Sequence, residues 1–345
     1  MKCLILFILF MAFAFPLQVA GQATAPCSPA GIVQFICGQE APEDLILVPG
    51  SEWVVASVFS QNGGIRLINV RDKTTTVAYP TATSRDQLDA KTYNSCPGSP
   101  DAAEKAKFRT HGLALRAGRN SMQTLYAVHH GNRESIEVFE LDARAKPPSL
   151  TWIGCAVAPE PIGLNSVVAL PDGGFAATNF LARNADAGAR GKMLAGENNG
   201  EIWEWHAGTG WKIVPGSEAS GANGLEVSKD GKWLYVAAWG SQQFFRLSRG
   251  QTPPKRDAIP LGFRVDNIRW APDGSLFGAG QGGAAPGQQT SNVVKINPNT
   301  LKVQELIRHP NTDAFGSGTV AVQVGKELWV GSFRGDRIAR FPVAQ

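Results

Sequence analysis

Apolar and polar residues alternate along this chain in short runs, and the runs come in pairs separated by turn residues. This pattern is typical of β-hairpins. In "SGANGLEVSKDGKWLYVAAWG" the polar residue Asn223 stands seven positions before an Asp-Gly turn, and an apolar run lies on each side of that turn. "FRVDNIRWAPDGSLFGAGQG" keeps the same spacing from Asp266. Each segment therefore predicts a strand that begins at a polar residue, a tight turn and a second strand.

The same template recurs along the chain at intervals of 43 to 68 residues, and a further short strand follows most copies. Such spacing is typical of propeller blades of four strands plus loops. The six polar residues that begin the copies are Glu43, His111, Asn165, Asn223, Asp266 and Ser317. The sequence therefore predicts an all-β fold, a six-bladed β-propeller. The alternative is a β-sandwich or another all-β fold made of unrelated hairpins.

The two ends of the chain predict how the ring closes and where the domain begins. The chain ends on the strand-like run "RIARFPV", so the earlier run "GIVQFIC" is expected to complete the last blade. Residues 1–25 have one lysine, an apolar run and small residues, which is the pattern of a cleavable signal peptide. We therefore expect one propeller domain over residues 26–345, secreted or periplasmic. The absence of an N-x-[ST] sequon slightly favours the periplasm.

Four cysteines remain after the expected cleavage, an even number that suits disulfides in an oxidising compartment. Of the three possible connectivities we favour Cys27–Cys37 with Cys96–Cys155, and the spacing does not suit a zinc site. The formal net charge of the whole chain is +4, and its Lys and Arg residues are scattered among acids. This distribution argues against nucleic-acid binding, and no later segment is apolar enough for stable membrane insertion. The sequence does not indicate an oligomeric state.

The polar residues that begin the blades are candidate metal ligands. The first strand of each blade lines the central channel of a propeller, so these side chains should converge at one end of the axis. Two carboxylates and three amides then form an oxygen-rich set of the kind that Ca²⁺ prefers. Its members are Glu43, Asn165, Asn223, Asp266 and Asn267. Each has an ordinary structural alternative, such as a solvated strand carboxylate or an Asn-Gly turn.

Histidines and aromatic residues accompany this oxygen set. His111 begins the second blade, and the next strand of that blade ends with His129 and His130. A histidine pair near a metal could relay a proton from water. Strand alternation turns one of His129 and His130 inward but does not say which. The ends of the corresponding strands in other blades would form an apolar rim, or simply pack between blades; they are Phe59, Phe180, Trp239 and Phe333.

These residues together resemble the serum paraoxonase family, calcium-dependent lactonases and arylesterases built on a six-bladed propeller. More distantly they are similar to the senescence-marker/gluconolactonase group. The resemblance runs from about Glu43 to the C-terminus. It rests on "EDLILVPG", "THGLAL", "YAVHHGNRESIEVFEL", "GLNSVVALPDG", "GANGLEVSKDGKWLYVA" and "VDNIRWAPDG", in this order.

The resemblance implies residue roles. It places the catalytic calcium ligands on the five oxygen-bearing residues named above and the histidine dyad on His111 and His130. It also implies a second, structural calcium held by Asp44 and the backbone carbonyl of Leu113. Ser166 stands where the family has another carboxylate for that ion.

The chain departs from the family at the pocket. A pocket histidine of the family is missing, and Gln281 is nearby. The family's aromatic membrane-associating helix is replaced by residues 181–200, which are small and polar, so attachment to lipid is not implied.

The leading functional hypothesis is a Ca²⁺-dependent hydrolase of small-molecule lactones or aryl esters. In it, His111 oriented by His130 activates water, and Asp266 is a rival base. The first alternative is a sugar lactonase or phosphotriesterase of the gluconolactonase type, which would not need the histidines. The second is a propeller without catalysis, whose ion is structural and whose faces bind a partner protein.

Overall fold

The structure is a computed structural model that describes residues 27–283, 285 and 287–343. It consists of six sheets arranged as a six-bladed β-propeller; each has four antiparallel strands, and one has a short fifth strand on its edge. The predicted fold class is confirmed. The expected signal peptide, residues 1–25, lies outside the described residues.

The inner strand of each blade comes first in the chain, except that the last blade also takes the N-terminal strand. Blade 1 contains β2 (Leu45–Leu47), β3 (Trp53–Val58), β4 (Gly64–Asn69) and β5 (Thr75–Tyr79). Blade 2 contains β7 (Arg109–Ala117), β8 (Met122–His130), β9 (Glu134–Asp142) and β10 (Ser149–Val157), with the short β6 (Arg85–Asp86) on its edge. Blade 3 contains β11 (Leu164–Ala169), β12 (Phe175–Asn179), β13 (Glu201–His206) and β14 (Gly210–Ile213).

The second half of the ring repeats this arrangement. Blade 4 contains β15 (Ala222–Val227), β16 (Trp233–Ala238), β17 (Gln243–Ser248) and β18 (Arg256–Pro260). Blade 5 contains β19 (Arg264–Trp270), β20 (Leu276–Gly282), β21 (Thr290–Ile296) and β22 (Val303–Pro310). Blade 6 contains β23 (Gly318–Val324), β24 (Glu327–Ser332), β25 (Arg337–Pro342) and β1 (Gln34–Cys37). Two short helices, α1 (Ala102–Lys105) and α2 (Ala187–Leu194), lie between strands.

The Asp-Gly pairs of the repeat form the turns between the first two strands of their blades. Gly231 and Gly274 have φ of +73° and +81°, a conformation that glycine adopts without strain. Apolar residues of the flanking strands are buried between neighbouring blades, as in the contact of Tyr126 of blade 2 with Phe175 of blade 3, whose ring centroids lie 5.4 Å apart. The turn chemistry and the apolar alternation of the sequence therefore account for the blade.

The N-terminal strand closes the ring as expected. β1 pairs antiparallel with β25, with Phe35 opposite Ala339. The Cys27–Cys37 disulfide ties the preceding segment to β1. This pairing joins the two ends of the propeller in one sheet.

The long polar insertion before the second blade, residues 80–108, covers the outer edge of that blade. β6 pairs in parallel with β10, and the Cys96–Cys155 disulfide ties the insertion to β10. Tyr93 stacks on Trp205 of the next blade with ring centroids 5.5 Å apart. Both expected disulfides are present, and the insertion protects an edge that would otherwise be unpaired.

The segment that replaces the family's aromatic helix contains α2. Asp186 caps this helix by accepting a hydrogen bond from Ala189 N at 2.7 Å. Met193 is buried beneath it, and Ser220 Oγ of blade 4 donates to Met193 O at 2.7 Å. None of the helices in the described part of the chain is long and apolar enough to cross a membrane.

Candidate functional site

The inner strands of blades 2 to 6 each carry a β-bulge near the start. In blades 2 to 5 the bulge brings the leading polar residue to the channel. In blades 2 to 5 the register shifts at His111-Gly112, Asn165-Ser166, Asn223-Gly224 and Asp266-Asn267. A bulge sets two residues of one strand against one on its partner, so neighbouring side chains need not alternate. This explains how both Asp266 and Asn267 can serve one centre.

Two of these bulges require glycine because the next blade approaches very closely. A Cβ on Gly112 would lie 2.5 Å from Asn165 O, and a Cβ on Gly224 would lie 2.3 Å from Asp266 O. The bulges of neighbouring blades therefore pack backbone against backbone around the axis. This close packing draws the ring of polar side chains together.

The prediction that Ser317 is the polar residue that begins the sixth copy is wrong. Ser317 lies in the loop before β23 with φ of +55°, and the bulge of blade 6 falls at Thr319-Val320. Thr319 takes the equivalent place, where its hydroxyl donates to Glu43 O. The cause of the error is a shorter hairpin turn in this copy, which moves the bulge two positions along the chain.

A cavity of about 540 Å³ opens at this end of the channel. The predicted residues among those lining it are Glu43, His111, His130, Asn165, Asn223, Asp266, Phe59, Phe180, Trp239, Gln281 and Phe333. Its wall also contains charged residues that were not predicted, namely Arg109, Glu134, Arg183 and Arg190. The structure therefore brings the histidine pair, the aromatic rim and most of the oxygen set to one cavity. Asn267 of that set does not line the cavity but hydrogen-bonds to Glu43, which does.

The oxygen set contains buried acceptors without hydrogen-bond partners among the described residues. They are Glu43 Oε2, Asn165 Oδ1, Asn223 Oδ1 and Asn267 Oδ1. An unsatisfied buried polar group costs about 1–3 kcal/mol, so a cluster of such groups in one place indicates a site for a ligand. Asn267 Nδ2 donates to Glu43 Oε1 at 2.6 Å, which fixes the amide so that Oδ1 remains available.

The fifth member, Asp266, is held by a residue expected only to line the pocket. Gln281 Nε2 donates to Asp266 Oδ2 at 2.7 Å and to Gly318 O at 2.8 Å, while Gln281 Oε1 accepts from Trp239 Nε1 at 2.9 Å. Gln281 therefore orients the carboxylate and ties the aromatic rim to it.

Burial makes negative charge at this site unfavourable without a cation. Burial raises the pKa of Glu43 well above its ordinary value, and the nearby charges of Asp266 and Asp44 raise it further. Burial also raises the pKa of Asp266 to about 7. A divalent cation would supply the missing charge and the missing partners, and carboxylate and amide oxygens suit Ca²⁺. No cluster of three or more His, Cys, Asp and Glu side chains forms a metal site in the described ranges. The candidate set relies instead on asparagine amides.

The histidine pair forms a chain with a glutamate. His111 Nδ1 lies 2.9 Å from His130 Nε2, and His130 Nδ1 lies 2.9 Å from Glu134 Oε1. Glu134 also accepts a hydrogen bond from Leu164 N at 2.7 Å, which fixes the carboxylate. Burial lowers the pKa of His111 well below its ordinary value, and the charges of His130 and Arg109 lower it further. His111 is therefore neutral at neutral pH.

The structure selects between the two neighbouring histidines. His129 faces away from the cavity, stacks on Phe108 with ring centroids 4.3 Å apart, and lies 2.6 Å from Glu104 Oε1. His130 is the residue against His111, as the resemblance implied. Glu134 was missed, although "HHGNRE" is a short hairpin loop that places His130 opposite Glu134 in the register.

The two atoms expected to hold a second ion contact an arginine. The buried Arg269 guanidinium donates to Asp44 Oδ2 and, at 2.9 Å, to Leu113 O. Its Nη1 lies 3.5 Å from Glu226 Oε1. Burial raises the pKa of Glu226 to about 7, against the lowering effect of Arg269. One guanidinium thus connects blades 1, 2, 4 and 5 across the channel. Ser166 Oγ is buried and has no hydrogen-bond partner among the described residues.

Comparison with known proteins supports the architecture. No family model matches the chain, and no curated protein does. Among solved structures it is similar to a luciferin-regenerating enzyme, with a TM-score of 0.57 and 14% identity over 90% of this chain and 94% of that one. A gluconolactonase from Xanthomonas campestris matches with a TM-score of 0.55 and 16% identity, over 90% and 89%. A calcium-binding regucalcin from Agrobacterium tumefaciens matches with a TM-score of 0.54 and 12% identity, over 89% of this chain and 92% of that one. At these identities the likeness shows the propeller fold.

Proposed function

We propose that this chain is a Ca²⁺-dependent hydrolase of lactones and aryl esters. The observation that carries the proposal is the meeting, in one cavity, of the His111–His130–Glu134 chain with three oxygen acceptors that no described residue partners, on Glu43, Asn165 and Asn223. The acceptors suit a hard cation, and the histidine chain suits the activation of water. The similar gluconolactonase and calcium-binding structures agree with the proposal but share only the fold.

The ion would be held by Glu43, Asn165, Asn223, Asp266 and Asn267. When bound, calcium would polarise the substrate carbonyl and stabilise the negative charge that develops on its oxygen. Because Ca²⁺ takes about six to eight oxygen ligands, five side chains leave room for substrate and water. Arg269 supplies a positive charge on Asp44 and Leu113 O, so we propose one ion and no second.

His111 is the proposed general base. Glu134 accepts from His130 Nδ1, so His130 Nε2 is left as the acceptor for His111 Nδ1–H. His111 Nε2 then keeps its lone pair and lies 3.7 Å from Glu43 Oε2, on the side of the oxygen set. Glu134 stabilises the positive charge that forms when His111 takes a proton.

The reaction then consists of the attack of water on the carbonyl carbon and the transfer of its proton, through His111, to the leaving oxygen. His111 Nε2 accepts a proton from water as the water oxygen bonds to the carbonyl carbon. The bond from that carbon to the leaving oxygen breaks, and the proton passes to this oxygen. Asp266 remains a rival base, because a carboxylate can also accept the proton. Its hydrogen bond from Gln281 favours the role of a fixed ligand.

A panel of lactones and aryl esters tests the proposal. The protein is assayed with calcium, with chelator, and with calcium restored. Turnover that disappears with chelator and returns with calcium supports the proposal. If no lactone or ester is turned over but chelation still lowers thermal stability, the protein is a binding module with a structural ion.

A sugar lactonase of the gluconolactonase type is the second candidate. It is favoured by the similar fold of a gluconolactonase and by the asparagines, Asn165 and Asn223, that line the cavity. Such an enzyme would use the oxygen set without the histidines. Full activity of a His111→Gln/His130→Gln double variant on a sugar lactone would select it.

We also propose that the protein is exported. The two disulfides, Cys27–Cys37 and Cys96–Cys155, are compatible with an oxidising compartment such as the periplasm or the cell exterior. The partner expected from the cavity is a small molecule.

A further inference from the structure

One wall of the cavity holds an arginine without a counter-charge. The Arg109 guanidinium stacks on Phe59, 3.6 Å from the ring centroid, and its Nε is buried without a hydrogen-bond partner. Within the described ranges no carboxylate lies at ion-pair distance from it. Burying a charge without a partner is costly. A guanidinium placed in this way therefore suggests a ligand that supplies the missing negative charge.

The carboxylate that acts on Arg109 is already engaged. Glu134 raises the pKa of Arg109, against the larger lowering effect of burial. Yet Glu134 accepts hydrogen bonds from His130 and Leu164 N, and Arg183 Nε lies 3.6 Å away. Arg109 is therefore not neutralised by the protein around it.

The opposite side of the entrance carries more positive charge. Arg190 of α2 lines the cavity and is exposed, and its guanidinium has no hydrogen-bond or ion-pair partner in the described part of the chain. Arg264 stacks on Trp239, 4.5 Å from the ring, and donates to Gly240 O at 3.2 Å. Burial lowers the pKa of Arg264, and the charge of Arg190 lowers it further. Neither guanidinium is paired with an acid in the part of the chain that the structure describes.

The balance of charge favours an anion. Three carboxylates and three arginines line the cavity: Glu43, Glu134, Asp266, Arg109, Arg183 and Arg190. A divalent ion at the oxygen set would make the lining positive overall. A neutral substrate with a hydrocarbon tail would leave that charge uncompensated, whereas an anionic one would be attracted.

We propose that the substrate carries, besides its ester or lactone group, a carboxylate or similar oxyanion that binds Arg109, with Arg190 drawing it into the cavity. Stacking on Phe59 engages the face of the guanidinium, so its terminal N–H groups, which no described residue binds, can pair with a carboxylate. Phe59 contacts both Arg109 and His111, so the anionic group lies beside the reacting carbonyl and the substrate is short. The ester or lactone part of this inference rests on the proposed function.

Matched aryl esters test the inference in the calcium-loaded protein. One phenyl ester has an acyl chain that ends in a carboxylate, and the other has the same chain ending in a methyl ester. We expect kcat/KM to be about 10- to 100-fold higher for the charged ester, as for a hydrogen bond to a charged group. Arg109→Gln should remove this preference, Arg109→Lys should keep part of it, and high salt should reduce it.

Arg308→Gln is the matched control. Arg308 lies on an exposed outer strand and pairs with Glu305, so this variant changes the net charge equally but should keep the preference. Arg190→Gln should lower kcat/KM more for the charged ester than for the neutral one. Equal kcat/KM for both esters in the wild type, or an unchanged ratio in Arg109→Gln, would overturn the inference.

A binding measurement separates this inference from the proposed function. Titration calorimetry compares the binding of glutarate, a short dicarboxylate, with the binding of its neutral diamide, in the wild type and in Arg109→Gln. Binding of glutarate that Arg109→Gln weakens at least about tenfold supports the anion site even if no ester is hydrolysed. Ester turnover with no Arg109-dependent binding or preference would leave the hydrolase proposal standing and end this one.

Discussion

The channel has two levels, which differ in whether the protein itself supplies partners for the buried carboxylates. At the mouth, Glu43, Asn165, Asn223 and Asn267 present oxygen atoms that no described residue satisfies. One to three residues further along the chain in each blade, Arg269 satisfies Asp44 and Leu113 O and approaches Glu226. Glu43 and Asp44 are neighbours in the chain, yet one belongs to the open level and the other to the closed level.

This difference shows which level is made for a ligand. A buried carboxylate with an internal guanidinium is part of the fold, and removing one partner destabilises the protein. Carboxylates and amides left open would be satisfied by the cation proposed above, and in that case the stability of that level depends on solution conditions. The following experiments test the contrast, starting with the largest expected effect.

Asp266→Ala should abolish activity, because it removes a ligand and the charge that holds the ion. His111→Gln should leave measurable activity, since general-base help contributes about 10²–10⁴-fold. Initial rates on the best ester or lactone check both variants. Ser317→Ala, outside the cavity, is the control and should behave as wild type. Equal losses in the two variants, or an active Asp266→Ala protein, would contradict this ranking.

Arg269→Met should lower the free energy of unfolding by about 3–5 kcal/mol, because Asp44 and Glu226 are left buried without their cation. Urea unfolding measures the loss, and Arg269→Met/Asp44→Asn should recover part of it. Calcium should not restore the single variant. Restoration by calcium would mean that the closed level accepts a metal after all.

Chelation should lower the melting temperature of the wild type, and calcium should restore it. At a free calcium concentration of 100 times Kd, the ion would stabilise the fold by about 2.7 kcal/mol. Differential scanning calorimetry measures the shift. Asn223→Ala should lose the calcium-dependent shift, whereas Arg269→Met should keep it. A shift of the same size in Asn223→Ala would place the ion elsewhere.

Glu134→Gln should lower kcat about tenfold with little change in KM, because the glutamine orients His130 less well and cannot stabilise the charge on the histidine pair. Steady-state kinetics check this split. In a His130→Gln background the same substitution should have almost no further effect, since both act through one chain. A rise in KM without a fall in kcat would show that Glu134 serves substrate binding instead.

The fold was largely predictable from the sequence because the repeat is local. The polar leader, the apolar alternation and the Asp-Gly turn all lie within about twenty residues, so one copy predicts a hairpin and six copies predict a ring. Ser317 shows where this reasoning fails. A shorter turn shifts the bulge to Thr319, and the sequence pattern alone does not reveal that shift.

The missed residues are those whose partners lie on other strands. Glu134 could have been found from the hairpin register after His130. Arg269 had a weaker signal, a single charge in the otherwise apolar run that follows Asn267. Arg109 and Arg190 had none, because an unpaired arginine looks like any other until its surroundings are known.

The sequence by itself determined the six-fold repetition, the strand ends that carry oxygen side chains, and the histidines beside them, since these follow from periodicity and spacing. Only the tertiary structure decided that His130 faces His111, that a guanidinium occupies the inner level of the channel, and that Arg109 stands unpaired in the cavity wall. These depend on which atoms of distant strands meet after burial, and that is set by the packing of the blades around the axis.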